Sequence, residues 1–204
     1  MHLDYKFKVK KYGYIVDTEL LNISYLLFSD QSELAYVESK KDYNNFADLI
    51  KNEDILFSDF FEYQVLSLNW LKDKNIIDED KHGYIRFRME IVRILEDFYN
   101  NDVICLSYYK NSDLLDELIT NKKIIFESTL FSKPEQDYLN YILNDRQFDN
   151  GPAIRNKYSH GNNTQRIEEH ESDYYQLLKI FALIVIKINE EFCLKDDLTN
   201  DDNL

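Results

Sequence analysis

Between Glu168 and Leu194 the apolar residues Tyr174, Leu178, Phe181, Val185, Ile188 and Phe192 recur at steps of three and four. That rhythm follows the turn of an α-helix and no strand period, so the end of the chain is constrained to one long amphipathic helix. The rest of the sequence points the same way. Only 4 Gly and 2 Pro occur in 204 residues, too few turn residues for a sandwich of many short strands. A 44% hydrophobic fraction is enough for a core, and 16 Tyr with 13 Phe make that core rich in aromatic packing. The length suits one large domain or two small ones.

The expected fold is mainly α. A helical bundle at residues 110–194 follows a smaller α+β region at 1–109, and an acidic tail occupies 195–204. Near the N-terminus Tyr5, Phe7 and Val9 alternate with Lys6, Lys8 and Lys10 ahead of Tyr12-Gly13-Tyr14-Ile15-Val16, which predicts a hairpin around the glycine with a solvated lysine face. Thr18–Phe28 reads as a helix, and Tyr43–Lys51 as a short one. Ser58 or Asp59 is the expected cap of a further helix carrying Phe60, Phe61, Val65, Leu68 and Leu71. Ile76-Ile77 and Tyr84-Ile85-Arg86-Phe87 flank a polar turn ending in Gly83, which predicts a second hairpin. The helix after it carries Met89, Ile91, Val92, Ile94, Leu95 and Phe98. Helix, hairpin, helix over about 58–99 resembles the end of a winged-helix module, whose wing can touch DNA. Lys81, Arg86 and Arg88 are the candidate contacts, but Asp78, Glu79 and Asp80 load the same turn with negative charge. From Ser112 onward the pattern reads as helical: Asp113–Asn121, a helix opened by Lys133-Pro134-Glu135, a short one after Gly151-Pro152, and the long final helix. Gly161-Asn162-Asn163 is the expected stop of the short one.

The formal charge of -14 opposes broad, non-specific binding to phosphate backbones, though a local basic pocket is compatible with it. Part of that charge is the tail Asp196-Asp197-Leu198-Thr199-Asn200-Asp201-Asp202. Cys105 and Cys193 lie far apart in apolar surroundings and read as reduced core residues. His2, His82 and His170 form no metal-ligand array; no phosphate-binding glycine loop and no serine nucleophile elbow occurs. No cofactor is expected. Met1-His2-Leu3-Asp4-Tyr5 carries no apolar signal region. The longest apolar run, Ile180 to Ile186, is far short of the about 20 residues a bilayer needs. The cytoplasm is the expected location.

One segment carries chemistry: Arg155-Asn156-Lys157-Tyr158-Ser159-His160. RNA is cut without a metal when its own 2′-hydroxyl attacks the adjacent phosphate. That reaction needs proton transfer and positive charge for the pentacoordinate phosphate. Histidine titrates near neutrality and moves protons. Arginine stays charged and offers phosphate a planar donor fork. Asn156 is placed to hydrogen-bond phosphate or hold the catalytic groups, Lys157 to add charge, and Tyr158 to stack on a base. An arginine, a polar neighbour and then a histidine after four intervening residues resemble the motif of the HEPN superfamily. The stretch Leu130-Phe131-Ser132-Lys133-Pro134-Glu135-Gln136-Asp137-Tyr138 also resembles bacterial proteins of that type, and the likeness covers about residues 110–194. It implies a small helical bundle and a metal-independent endoribonuclease serving as a toxin or an antiviral-defence effector. Arg155, Asn156 and His160 would be catalytic, and Lys157 and Tyr158 would bind RNA. On an uninterrupted helix Arg155 and His160 would lie roughly 140° apart, so a complete site calls for a second copy across a two-fold axis. HEPN sites at dimer interfaces agree with that. The expected partners are RNA, a second copy, and a regulatory protein such as an antitoxin. Two alternatives stand beside this reading: a non-catalytic HEPN-like dimerisation and RNA-binding adaptor, and a winged-helix DNA-binding regulator.

Overall fold

Local capping explains where most helices begin, and long-range pairing explains the strands. The computed structural model describes residues 11–38, 40, 42–109, 112–159 and 166–201. Its chain divides into two units, Met1–Ser128 and Thr129–Leu204.

In the first unit, strand β1 (Tyr12–Ile15) is buried at all four positions. Helix α1 (Thr18–Phe28) follows, capped by the Asp17 carboxylate, which accepts the Leu20 N–H at 2.9 Å. Helix α2 (Phe46–Asn52) is capped in the same way by Asn45. Helix α3 (Glu62–Asp73) departs from expectation. Neither Ser58 nor Asp59 caps it; Asp59 accepts the Leu56 N–H and closes a short 3₁₀ turn instead. The Gln64 side chain satisfies the first turn of α3 by accepting from the Phe61 N–H at 2.8 Å. Gln64 is fully buried and also donates to the carbonyls of Glu33 and Tyr36, so tertiary bonding has chosen the helix start. Strands β2 (Ile77–Glu79) and β3 (Ile85–Phe87) form the expected antiparallel hairpin, with the Gly83 N–H donating to the Asp80 carbonyl in its turn. Helix α4 (Met89–Asn101) comes next, so helix–hairpin–helix describes this stretch.

Strand β4 (Ile104–Cys105), helix α5 (Asp113–Thr120) and strand β5 (Ile124–Glu127) complete the unit. Ser112 caps α5, accepting the Leu115 N–H. β1 is the centre of an antiparallel sheet ordered β4-β1-β5, with Tyr12 opposite Glu127 and Ile15 opposite Ile124. Two expectations are corrected by this sheet. Gly13 is inside a strand, not at a hairpin turn: a Cβ there would lie 2.8 Å from Leu106 Cδ2, so a side chain would require the Leu106 methyl to shift. Residues 5–10, the other half of that hairpin, lie outside the described residues. The stretch after Ser112 is also not wholly helical, because Ile124–Glu127 finds strand partners on β1 about 110 residues earlier. Leu115, Leu118 and Ile124 join the same core as Ile23, Leu27 and Phe46. The division of the chain therefore falls at Ser128/Thr129, not near residue 110, and the α+β unit is the larger of the two.

The second unit holds helices α6 (Lys133–Leu143), α7 (Ile154–Ser159) and α8 (Ile167–Asp201). Pro134 stands in the first turn of α6, and Ser132 with Glu135 forms a reciprocal cap: the Ser132 N–H and hydroxyl both donate to Glu135 Oε2. The unit's core is Ile142, Ile154 and Ile180, with Leu139, Leu143 and Ile184 against it. α8 continues to Asp201, into the stretch expected as a tail. Cys105 is half-buried on β4 and Cys193 is exposed on α8; both are free thiols, and neither is the core residue expected. No helix among the described residues is long and apolar enough to cross a membrane.

Glu135 ties α6 to α8. Burial pushes its carboxyl up, but bonds from Lys187, at 2.7 Å, and from Ser132 together hold it below the ordinary carboxylate value. A carboxyl depressed in the folded state stabilises above its unfolded value of about 4.5. That contribution disappears as pH falls through the folded value. Glu135→Gln should therefore melt earlier than the wild type at pH 6, with the gap closing as pH is lowered towards 3. A thermal-melting series across that range checks it, and a gap that stays constant with pH would contradict the assignment.

Candidate functional site

The site begins with a close approach of backbone. Asn144, Asp145 and Arg146 follow directly on α6. At Gly151 a Cβ would sit 2.0 Å from the Tyr141 carbonyl oxygen, so only glycine lets the returning loop lie against α6. Ala153 takes a left-handed φ of 47° and turns the chain into α7. Ile154, 1% exposed, anchors that helix in the core with Ile142 and Ile180. The residues next to the anchor then face the segment after α6.

The result is a pocket of about 630 Å³ lined by Asn144, Asp145, Arg146, Arg155, Asn156 and Lys157, among others. Three cations face one carboxylate, in a chain whose net charge is -14. The Asn156 side-chain N–H donates to Asp145 Oδ1, which holds the amide and occupies the carboxylate. Arg155 Nη1 donates to Asn144 Oδ1 at 3.3 Å. Arg146 and Arg155 are both exposed, and no ion pair engages either of them among the described residues. Of the other four arginines, Arg93 is likewise exposed without an ion pair among the described residues, and three are paired. Arg86 pairs with Asp54 and Asp80, Arg88 with Asp78, and Arg166 with Glu169.

Beside the pocket, α7 and α8 are joined by a polar cluster. Lys157 Nζ lies 3.4 Å from both carboxylate oxygens of Asp173, which is buried on α8. The Tyr158 hydroxyl is 2.7 Å from His170 Nδ1 and donates to Asp173 Oδ2 at 3.3 Å. Burial, then the Asp173 charge, raises the Tyr158 phenol above its ordinary value, so it stays protonated. Asp173 thus fixes Lys157 from behind while Lys157 lines the pocket.

Arg155, Asn156 and Lys157 are therefore brought together at one pocket. Tyr158 is not part of its lining; the residue is 41% exposed and its hydroxyl is engaged by His170 and Asp173. His160 lies outside the described residues, as does Gly161-Asn162-Asn163, and α7 ends at Ser159. Nothing in the sequence marks Arg146 or Asp173 as site residues, and His170 stands out there only as a histidine outside any metal-ligand array. Arg146 is one of only six arginines, but nothing near it shows that the Gly151 approach will place it opposite Arg155. No group of three or more His, Cys, Asp and Glu side chains among the described residues is placed to hold a metal ion. Comparison of the chain with protein-family models, with curated proteins and with solved structures gives no match.

Proposed function

We propose that this chain is a metal-independent endoribonuclease of HEPN type, acting as a bacterial toxin or antiviral-defence effector, and that the pocket between α6 and α7 receives the RNA phosphate. The observation that carries the reading is the pair of guanidiniums, Arg146 and Arg155, with no carboxylate partner among the described residues of a strongly acidic chain. A charge left unpaired on such a surface is available to an anion from outside. Arg155 binds the reacting phosphate and stabilises the charge that grows on it. Arg146, from the facing segment, holds the same or the neighbouring phosphate. Asn156, tied to Asp145, keeps its amide fixed at the rim. Lys157, braced by Asp173, adds positive charge. His160 transfers protons between the 2′-hydroxyl, the phosphate and the leaving 5′-oxygen. The helix–hairpin–helix of the first unit acts as a winged-helix-like packing element and not as a DNA reader, since its Arg86 and Arg88 are already paired with Asp54, Asp80 and Asp78.

The test is incubation of the purified full chain, freed of any inhibitory partner, with single-stranded RNA and with DNA of the same sequence in the presence of chelator. RNA should be cut to ends bearing 2′,3′-cyclic phosphate or its hydrolysis product, and DNA, lacking the 2′-hydroxyl, should stay intact. His160→Ala should abolish the cleavage. RNA binding without cleavage by either protein would replace this reading with the non-catalytic adaptor. Equal cleavage by both would place the activity elsewhere.

A further inference from the structure

The strongest periodic pattern in the sequence faces away from the core of its own unit. α8 uses Asp173, Ile180, Ile184 and Lys187 inside the unit: Asp173 holds Lys157, Ile180 and Ile184 meet the core, and Lys187 pairs with Glu135. About a third of a turn round the helix lies the row Tyr174, Leu178, Phe181, Val185, Ile188 and Phe192. These six are exposed by 61, 49, 64, 42, 41 and 56%. Their steps of four, three, four, three and four are the 3.5-residue repeat of a coiled-coil seam, which is satisfied only by another helix.

We infer that this seam of α8 is the surface through which two copies of this chain join. The inference does not rest on the ribonuclease reading. Charge is the first reason for choosing a second copy as the occupant. The chain carries 38 acidic residues in 204, yet none falls between Tyr174 and Asn189, where the only charges are Lys179 and Lys187. The flanks of the seam at Tyr175, Leu177, Ala182 and Asn189 are uncharged. Two copies of net charge -14 repel one another in general, and this face carries carboxylates, Glu190 and Glu191, only at its Phe192 end.

Area is the second reason. With aromatic side chains of 150–250 Å² each, the seam exposes on the order of 700 Å² per copy, close to the about 800 Å² each partner gives a standard interface. A patch of that size is larger than a monomer usually leaves to water. The unit also buries few large apolar residues: its core is Ile142, Ile154 and Ile180. Pairing the same face of two copies closes the assembly as a two-fold dimer.

Light scattering of the full chain at tens of micromolar should report twice the 24.6 kDa chain mass. The association should tighten as salt screens the repulsion between copies, the reverse of an ion-paired interface. The double variant Phe181→Lys/Val185→Lys should be monomeric with an unchanged far-ultraviolet helix signal, because both side chains are exposed. Ile186→Lys, equally exposed but off the seam, should stay dimeric. If the double variant loses helix, Phe181→Ala decides: it adds no charge and should raise the dissociation constant at least about tenfold. A monomeric wild type, or seam variants that dimerise as well as the wild type, would overturn the inference. So would an Ile186→Lys protein that separates as readily as the double variant.

Discussion

Replacing Arg155 with alanine is expected to lower RNA cleavage at least about 10²-fold, and up to about 10³-fold, the usual cost of losing one fixed donor aimed at developing phosphate charge. The protein should stay folded. Arg155 is exposed, and the hydrogen bond it loses is a 3.3 Å contact to Asn144 Oδ1 at the surface; the helix is held by its neighbour Ile154, 1% exposed. Arg155→Lys should recover part of the loss, because the charge returns without the two-pronged geometry. Arg146→Ala should cost less, about 10-fold or somewhat more, as expected for one charge-assisted hydrogen bond to a phosphate that another group also holds. Initial rates on a short single-stranded RNA, measured beside a melting curve for each variant, separate the cases. Full activity in Arg155→Ala would remove the pocket from the mechanism.

The largest loss of stability is expected in the first unit, at Phe46. This side chain is fully buried on α2 and meets two rings edge-on: Phe60 at 6.0 Å and 73°, and Phe87 at 5.6 Å and 86°. It links α2 to the β2–β3 hairpin and to the segment ahead of α3. Phe46→Ala removes the buried ring, leaves a cavity and breaks both ring pairs, for a cost of about 3–5 kcal/mol. A drop in midpoint on the order of 10 °C follows for a unit of this size. Phe61, 41% exposed and stacked on Tyr63 at 5.9 Å, is the control, since its replacement by alanine opens no cavity. Calorimetry or circular dichroism of both variants reads the difference. A Phe46→Ala protein that melts within a degree or two of the wild type would mean that this core is not packed as described.

The sequence by itself determined the helices that carry their own start signals. Asp17 before α1, Ser112 before α5, and Ser132-Lys133-Pro134-Glu135 before α6 all bond within a few residues of themselves, so position in the chain suffices to find them. The β2–β3 hairpin was legible for the same reason, its strands being joined by one short turn. The amphipathic character of α8 also follows from spacing alone.

Tertiary structure decided whatever depends on residues distant in sequence. β5 became a strand because β1 offered a free edge about 110 residues earlier. α3 starts at Glu62 because Gln64 is buried against the carbonyls of Glu33 and Tyr36. Of the site, Arg155, Asn156 and Lys157 could be read from one short run, since a single helix carries all three. Arg146 could not, because its place opposite Arg155 depends on Gly151 lying against the Tyr141 carbonyl. Asp173 could not either, because its bond to Lys157 forms only when α7 docks on α8. The periodicity of α8 likewise says that one face is apolar, but not what that face meets. The helix turns Ile180 and Ile184 inward and leaves Tyr174 to Phe192 outward because the few partners available, on α6 and α7, cover only one side of it. Helical period is a local property of the chain; which face is covered depends on how many partners fold against it.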